Sequence, residues 1–275
     1  MSKINGRIDF ITLIEVAHAN PNGDPSNGNR PRQTDDGFGE ISDVCLKRKI
    51  RNRLQDMGES IFVQSEDRTD DGITSLHERL NSKVDKTAKK DKTKVIEIAN
   101  KEWLDVRAFG GVFAFKGDDL SVGIRGAVTI QPAFSVSEIY TETSQITKSV
   151  NSEAKTGKAS DTMGEKHRIK YGLYMMKGSI NARTAEKNNF TEEDAEKILK
   201  AIKTMFINDD TSARPAGSMN IRKMYVFKHN NIDGQYSPYD VFNSIDVTTN
   251  VVEPDEFCDY NIEIKELKDL KMIEY

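Results

Sequence analysis

Residues 7–17 constrain the fold more than any other stretch, because apolar side chains occupy both sides of one extended segment. Four of them alternate onto one face: Ile8, Phe10, Ile14 and Val16. Ile11 and Leu13 make the middle of the opposite face apolar as well. A period of two residues is typical of a β-strand, and an apolar pattern on both faces predicts a strand in the centre of a sheet.

Three later segments are also predicted to be strands. Residues 122–131 and 168–181 alternate between apolar and polar side chains, and residues 220–229 form the last strand. In the first of these segments, Arg125 lies on the side opposite the apolar residues. One face of the sheet is therefore expected to be polar and cationic.

Two segments have the period of a helix. Residues 192–208 follow Thr191, which resembles a capping box with Asp194, and their apolar side chains form one buried stripe. The other helix begins after residue 42. The resulting order is strand, helix, strand, strand, helix, strand, which is the order of a ferredoxin-like or RNA-recognition (RRM-like) fold. The predicted class is α+β.

The helix after residue 42 is strongly basic. Ser42 is a suitable N-cap, Asp43 suits the positive end of the helix dipole, and an apolar stripe recurs at helical spacing. That stripe is Leu46, Ile50, Leu54 and Met57. The helix carries five cations: Lys47 and Arg51 on one border of the stripe, Lys49 and Arg53 on the other, and Arg48 outside it. With Asp43 as the single acid, they suggest a phosphate-binding surface, and an ordinary solvated face is the alternative.

Three segments outside the predicted core are polar. Residues 20–39 are rich in Asn, Pro, Gly and Asp, include Arg30 and Arg32, and are too long for a simple connection, so they are functional or disordered. Residues 58–106 contain a lysine-rich run at 83–94 and are predicted to be a partly helical insertion. Residues 133–167 are predicted to be a protruding hairpin with a turn at residues 155–158.

Charge and cysteine content limit the classes of protein that fit. The net charge is −4, but residues 253–275 hold eight acids and three lysines, so the rest of the chain is nearly neutral. This argues against a general DNA-coating protein, and a nucleic-acid site must come from local clustering. Cys45 and Cys258 are far apart, and the chain lacks an apolar signal segment or a membrane span. We expect a cytoplasmic protein without a membrane partner.

No catalytic motif is evident. The histidines show no ligand spacing with each other or with the cysteines, so neither a metal nor a cofactor is expected. Asp24, Asp35, Asp36 and Asp43 crowd one loop and helix start, where a metal-assisted RNA cut is conceivable, although turn chemistry and helix capping account for them more simply. His167 is either a general base or an RNA contact, and contact is preferred.

Several segments together resemble a known family. They include Asn-Pro-Asn-Gly-Asp-Pro at residues 20–25, Gly-Asn-Arg-Pro-Arg at residues 28–32, and the basic helix at residues 41–51. In the same order, residues 107–115, 145–151, 160–164 and 212–219 continue the match. The chain resembles the major backbone subunits of the type I-C CRISPR Cascade, the Csd-type branch of the Cas-seven family in the RAMP superfamily. The region after residue 230 matches least.

The resemblance implies a shape like a right hand and a role without catalysis. The palm would comprise residues 1–57, 107–132 and 168–275, with fingers at 58–106 and a thumb at 133–167. Copies of such a subunit line a CRISPR RNA, and each thumb reaches the next copy. The implied partners are CRISPR RNA, the target DNA strand paired with it, further copies of the chain, and large, small and 5′-end-capping subunits. A ribonuclease of the same superfamily, using the aspartates or His167, is the alternative.

The residues expected to contact RNA lie on the loop, the basic helix, the cationic strand, the hairpin and the loop before the last strand. They are Asn20, Asn22, Arg30, Arg32, Ser42, Lys47, Arg48, Lys49, Arg51, Arg107, Phe109, Arg125, Gln145, Ile146, Lys148, Asn151, Met163, His167, Arg168, Arg214 and Ser218. Ile146 and Met163 are expected to wedge against the nucleic acid where it kinks.

Overall fold

The computed structural model describes residues 2–115, 120–147 and 163–275. Its strands are β1 (Ile8–Ala17), β2 (Gly23–Asp24), β3 (Arg30–Pro31), β4 (Phe38–Ile41), β5 (Gly110–Ala114), β6 (Ser121–Arg125), β7 (Val128–Ile130), β8 (Ala133–Glu138), β9 (Thr141–Thr147), β10 (Met163–Ile169), β11 (Tyr171–Ile180), β12 (Met219–Lys228), β13 (Ile245–Thr249), β14 (Tyr260–Ile264) and β15 (Lys271–Glu274). Its α-helices are α1 (Asp43–Asp56), α2 (Leu76–Lys83), α3 (Lys92–Glu102), α4 (Leu104–Phe109), α5 (Ala182–Asn188), α6 (Glu192–Lys203) and α7 (Pro238–Phe242).

The core is an antiparallel sheet in which β1 is central. The strand order is β15, β12, β1, β11, β8 and β4, and β7 also pairs with β11. β1 is hydrogen-bonded to β11 along one edge and to β12 along the other. The strand predicted from its two apolar faces is therefore confirmed as a central strand. The order from β12 through β1 and β11 to β7 and β8 is that of a ferredoxin-like sheet, so the α+β prediction is also confirmed.

Helices cover one face of this sheet. In α1 the Ser42 hydroxyl accepts the backbone N–H of Cys45 at 3.3 Å, and the predicted stripe from Leu46 to Leu54 is buried in the main core. α6 begins with the predicted capping box between Thr191 and Asp194. It ends at Lys203 rather than at residue 208, because the chain turns there.

The C-terminal region covers the other face of the sheet. Ile11 and Leu13 of β1 pack in a second core, whose buried members from beyond β12 are Val241, Phe242, Ile245, Val247 and Tyr260. The expected polar, cationic face is therefore wrong. The two-sided apolar pattern of β1 requires cover on both sides, and Arg125 lies on β6, which pairs with β5 outside the main sheet.

Residues 58–125, here called the inserted subdomain, have a core of their own. Its buried residues run from Phe62 to Ile124 and include Trp103 and Phe113. The single strand predicted at residues 122–131 is divided into β6 and β7 by Gly126. A Cβ at Gly126 would lie 2.3 Å from the Ala108 carbonyl oxygen, so only glycine allows the backbones to approach this closely.

β9 and β10 form a separate antiparallel ribbon, called here the β9–β10 ribbon. Its register places Met163 opposite Thr147 and Ile169 opposite Thr141. The first predicted hairpin residues, in β8, belong to the main sheet instead. The predicted turn at residues 155–158, together with Lys148 and Asn151, lies outside the described residues.

The cysteines and the helix lengths can be compared with what the composition predicted. Cys45 and Cys258 are both free thiols. In the parts of the chain that the structure describes, every helix is too short or too polar to cross a bilayer.

Candidate nucleic-acid interface

The loop at residues 18–42 is ordered and fixed to three neighbours. The Asn20 N–H donates to the Ala213 carbonyl oxygen at 2.9 Å, which joins the loop to residues 208–218. The Ile169 N–H donates to Ala19 at 2.9 Å, which joins it to the end of β10. Asn22 Oδ1 accepts from both the N–H and the hydroxyl of Ser42, at 3.0 and 2.8 Å, and so joins the loop to the start of α1. The structure therefore brings three predicted segments together.

The tip of this loop is shaped by two left-handed residues. Gly28 and Asn29 have φ angles of 60° and 59°, and the chain then returns in β3. Asp24 accepts the Ser26 N–H at 3.0 Å. The turn leaves Arg30 exposed, and this guanidinium has no ion-pair partner among the described residues. Arg32 is half-buried, 3.8 Å from Asp24.

Most cations of α1 already have acidic partners in the chain. Lys47 pairs with Asp43 at 2.9 Å, and Arg51 pairs with the buried Asp105 at 2.9 Å. Arg51 also lies 5.1 Å from the centre of the Phe109 ring, so the predicted residues Arg51 and Phe109 contact each other. The Arg51–Asp105 pair holds α1 to the inserted subdomain, and both pairs reduce the charge available to a ligand.

Arg48 is different, because no acid in the described part of the chain pairs with it. Its side chain is half-buried, and its Nη1 is buried without a hydrogen-bond partner. Burial, and then the neighbouring Arg51, lower the pKa of Arg48 below its ordinary value, and the more weakly acting carboxylates of Asp67 and Asp105 oppose this shift. An anion placed here would satisfy the buried donor and offset the repulsion from Arg51.

Lys49 lies inside the protein. Its ammonium group contacts Asp209, which also accepts from Arg214 Nε at 3.3 Å, and it lies 5.6 Å from the Phe206 ring centre. Burial lowers the pKa of Lys49, and the Asp209 carboxylate opposes this shift. The group formed by Lys49, Asp209 and Arg214, here called the Asp209 cluster, connects α1 to residues 208–218. In the same region the backbone carbonyl of Ser218 accepts the Ala17 N–H at 2.9 Å.

Two predicted arginines lie apart from the loop. Arg107 makes a two-pronged contact with Asp194 at 2.8 and 2.9 Å, and so links the inserted subdomain to the start of α6. Arg125 is exposed and lines a 320 Å³ cavity together with Arg7. Arg7 precedes β1, whereas the loop follows it, so this cavity is at the opposite end of a strand of ten residues, roughly 33 Å long.

The β9–β10 ribbon presents apolar side chains on both of its faces. Ile146 and Met163 are exposed, at 51% and 65%. Since Ile146 is opposite Gly164 and Met163 is opposite Thr147, the two side chains point to opposite sides. The Gln145 amide contacts the Met163 sulfur at 3.0 Å, on the Met163 side.

The base of the ribbon holds the remaining two predicted residues. His167 is buried, with Nδ1 2.9 Å from the Thr143 hydroxyl and Nε2 3.5 Å from the Glu165 carboxylate. Arg168 pairs with Glu142 at 2.8 Å. Their neighbours hold these side chains in place within the ribbon.

Three of the four crowded aspartates have separate partners. Asp36 accepts from the Thr34 hydroxyl at 2.5 Å, Asp43 pairs with Lys47, and Asp24 caps a turn. Within the described ranges, the group of acidic and thiol ligand atoms that converges is instead Glu256, Cys258 and Asp259, on an exposed turn. The geometry therefore favours the interpretation that the loop aspartates stabilise turns and cap the helix.

Sequence patterns did not identify Asp105 and Asp209. Both carboxylates are largely buried and bind cations of α1, yet they lie 54 and 160 residues from their partners. The only indication of these two acids in the sequence was that α1 carries more cations than the neighbouring acids can pair with.

The fold and this surface define an α+β protein with a ferredoxin-like core, an inserted subdomain, and a cationic loop and helix suited to a polyanion. The family model described as CRISPR-associated protein Cas7 matches residues 6–265, so the chain belongs to the Cas7 family. A relative from Haloferax volcanii, "CRISPR-associated protein Cas7", is 29% identical over 236 residues, covering 79% of this chain and 68% of the relative.

A solved structure has the same fold. A chain of a "CRISPR RNA-guided surveillance complex, pre-nicking" matches with a TM-score of 0.54 at 14% identity, over 80% of this chain and 78% of that chain. A chain of a "CRISPR RNA-guided surveillance complex" has a TM-score of 0.49 at 16% identity, over 80% of this chain and 68% of that one.

Proposed function

We propose that the chain is a non-catalytic backbone subunit of a CRISPR RNA-guided surveillance complex. It binds the phosphates of CRISPR RNA and presents the bases for pairing with a target DNA strand. Membership of the Cas7 family supports the setting, and the segments that resemble the type I-C branch support a type I-C Cascade. The observation that carries RNA binding is Arg48, a half-buried guanidinium with a buried, unsatisfied donor and no ion pair to an acid among the described residues.

Two unpaired arginines give the proposed site its phosphate contacts. Arg48 belongs to α1 and Arg30 to the tip of the loop, and Asn22 joins these two elements through Ser42. Arg51, Lys49 and the other paired cations hold the frame in place. A guanidinium suits phosphate because its planar set of donors matches the phosphate oxygens.

The domain roles follow from this proposal. The main sheet with its helices is the palm, and the β9–β10 ribbon is the exposed base of the thumb. The fingers are the inserted subdomain, which continues beyond the expected bounds of 58–106 to residue 125. Ile146 and Met163 stand on opposite sides of the ribbon, so one can contact the nucleic acid while the other contacts a neighbouring copy. The remaining partners are the large, small and 5′-end-capping subunits.

The ribonuclease alternative has less support from the geometry. A general base must reach the substrate proton, whereas His167 is buried between Thr143 and Glu165. Asp24, Asp36 and Asp43 bind a backbone group, a hydroxyl and a cation of the chain, respectively. Both observations favour contact and structural roles.

The test compares Arg48→Gln with Arg183→Gln, in which the control arginine is exposed on α5 and pairs with Asp233. Binding of a labelled single-stranded RNA is measured over a range of salt concentrations. We expect Arg48→Gln to weaken binding several-fold and to reduce the slope of log affinity against log salt by about 0.7, the value for one single-strand phosphate contact. Arg183→Gln should match the parent.

Equal slopes for Arg48→Gln and the parent would remove α1 from the site. The same RNA incubated with Mg²⁺ tests the alternative. Cleavage by the parent that is lost in His167→Ala, or in the double variant Asp35→Ala with Asp36→Ala, would establish a ribonuclease instead.

A further inference from the structure

The C-terminal region leaves a groove open on the second face of the main sheet. Two adjoining cavities of 540 and 400 Å³ make up this groove, and Val136 of β8 and Val247 of β13 line both of them. Phe134 lies two residues before Val136, on the same side of β8, and is exposed. The groove, here called the β8–β13 groove, therefore keeps apolar side chains in contact with solvent.

One wall of the β8–β13 groove is the free edge of a strand. β13 is hydrogen-bonded to β14 along one edge, and in the described part of the chain no strand pairs with its other edge. Every residue of β13 lines one or both cavities, whereas β14 lines neither. The unpaired edge therefore faces the groove, and it offers backbone N–H and C=O groups to an added strand.

A lysine without a counter-charge lies at one end of the groove. Lys177 of β11 lines the larger cavity, and its ammonium group has no hydrogen bond or ion pair among the described residues. Burial of this half-buried side chain lowers the pKa of Lys177 below its ordinary value. A carboxylate brought by a ligand would supply the missing counter-charge.

The other end of the groove is apolar. Tyr140, Val251 and Val252 line the smaller cavity and are all exposed. Single exposed apolar residues are ordinary, but these three share one groove with Phe134 and Val136. An apolar surface of this extent marks a site of interaction.

The charges of the groove favour a peptide over a nucleic acid. Lys177 is the single cation among the described residues that line the two cavities, and Asp246 and Glu138 line them as well. The two carboxylates repel a phosphate backbone, which carries a charge at every nucleotide. A peptide with one acidic residue matches the one unpaired cation.

We propose that the β8–β13 groove binds an extended segment of a partner protein, which adds as a strand to the free edge of β13. Alternate side chains of this segment face the groove. Apolar side chains fill the apolar end, and one carboxylate reaches Lys177. Main-chain hydrogen bonds to β13 supply affinity, and the side-chain contacts supply specificity. Since α1 packs on the opposite face of the sheet, this site goes beyond RNA binding and does not depend on it.

The test titrates the full chain with synthetic peptides by isothermal titration calorimetry. Two peptides, capped at both ends, are Glu-Thr-Val-Thr-Val-Thr-Val and its reverse, so that the carboxylate can reach Lys177 for either strand direction. A matched pair carries Gln in place of Glu. A further pair is N-methylated on the backbone at the third and fourth residues. Adjacent residues of a strand direct their N–H groups to opposite edges, so this change removes a donor to β13 in either register.

Three variants of the chain accompany the peptides. Lys177→Gln removes the charge, and Lys177→Arg retains it. Lys187→Gln is the control, because Lys187 is exposed and has no ion pair among the described residues, and α5 packs on the other face of the sheet. Circular dichroism checks that each variant is folded.

We expect one of the Glu peptides to bind the parent roughly tenfold more tightly than its Gln counterpart. Lys177→Gln should weaken the Glu peptide about tenfold and leave the Gln peptide unchanged, so that the two bind alike. Lys177→Arg and Lys187→Gln should stay within about twofold of the parent. N-methylation should weaken binding at least about tenfold. Binding of single-stranded RNA should be the same in Lys177→Gln and the parent.

Several results would overturn the proposal. The first is a parent that binds neither Glu peptide at about 1 mM. Others are equal affinities of the Glu and Gln peptides, an unchanged affinity in Lys177→Gln, and full binding of the N-methylated peptides. Weaker RNA binding by Lys177→Gln would make a nucleic acid the occupant, and weaker self-association would make it a second copy. Failure of the RNA-binding proposal would be seen separately, in the Arg48→Gln comparison.

Discussion

The Asp209 cluster makes a quantitative prediction about how α1 is held to residues 208–218. The Lys49 side chain is 3% exposed and that of Asp209 is 13% exposed, so the pair is almost free of water. Changing Asp209 to Ala leaves a buried ammonium without a counter-charge. Breaking a buried pair in this way costs about 3–5 kcal/mol. Because Asp209 keeps some exposure, we expect the lower end, about 3 kcal/mol.

The assay is a double-mutant cycle measured by urea and thermal unfolding. Asp209→Ala alone should lower the Tm by about 6–12 °C, from about 2–4 °C per kcal/mol in a domain of this size. Lys49→Met alone should cost less, because Asp209 keeps Arg214 at 3.3 Å and the thioether can pack on Phe206. The double variant should be more stable than Asp209→Ala, since it removes the unpaired charge.

The control is Glu196→Ala, which removes the partner of Lys228 in an exposed pair at the surface. We expect it to leave the Tm close to that of the parent. Two outcomes would refute the reasoning. One is a cost below about 1 kcal/mol for Asp209→Ala, and the other is additivity of the two single changes within about 0.5 kcal/mol.

Two further predictions concern the inserted subdomain and the β9–β10 ribbon. The hydrogen bond from Arg79 lowers the pKa of the Asp71 carboxyl to about 2. The pair therefore contributes fully to the free energy of unfolding above the ordinary pKa of an aspartate, and this contribution is lost as the pH falls from about 4 to about 2. Asp71 is one-third exposed, so water screens the pair and its contribution to stability is smaller than the pKa shift suggests. We expect Asp71→Asn to lower the free energy of unfolding in urea by about 1 kcal/mol at pH 7 and by less at pH 2.5. An equal loss at both pH values would contradict this. Changing Ile146 and Met163 together to Ser should weaken single-copy RNA binding several-fold, because one contact with the nucleic acid is lost. Assembly of several copies on a long RNA, measured by sedimentation, should fall further, and Ile207→Ser is the exposed apolar control. Assembly equal to that of the parent would show that the described part of the ribbon does not connect copies.

The sequence by itself determined the elements whose signals are local. The alternation in residues 7–17 gave β1 and its central place, because burial on both sides requires apolar residues at successive positions. The Ser42 cap with the spaced apolar stripe gave α1, and the Thr191 capping box gave the start of α6. Their order along the chain was sufficient for the α+β, ferredoxin-like prediction.

The tertiary structure alone decided which cations remain free for a ligand. On a helical wheel Lys49 borders the apolar stripe and Arg48 lies outside it, but the wheel does not show their partners. Lys49 is buried against Asp209, 160 residues away, while Arg48 has no such acid. Likewise, Arg107 contacts Asp194 across 87 residues. Periodicity shows which side of an element faces the protein, whereas the partner of a charge depends on which distant segment packs there. For the same reason, the sequence did not show which segment covers the second face of the sheet. An apolar face indicates that it is buried, but not which segment buries it.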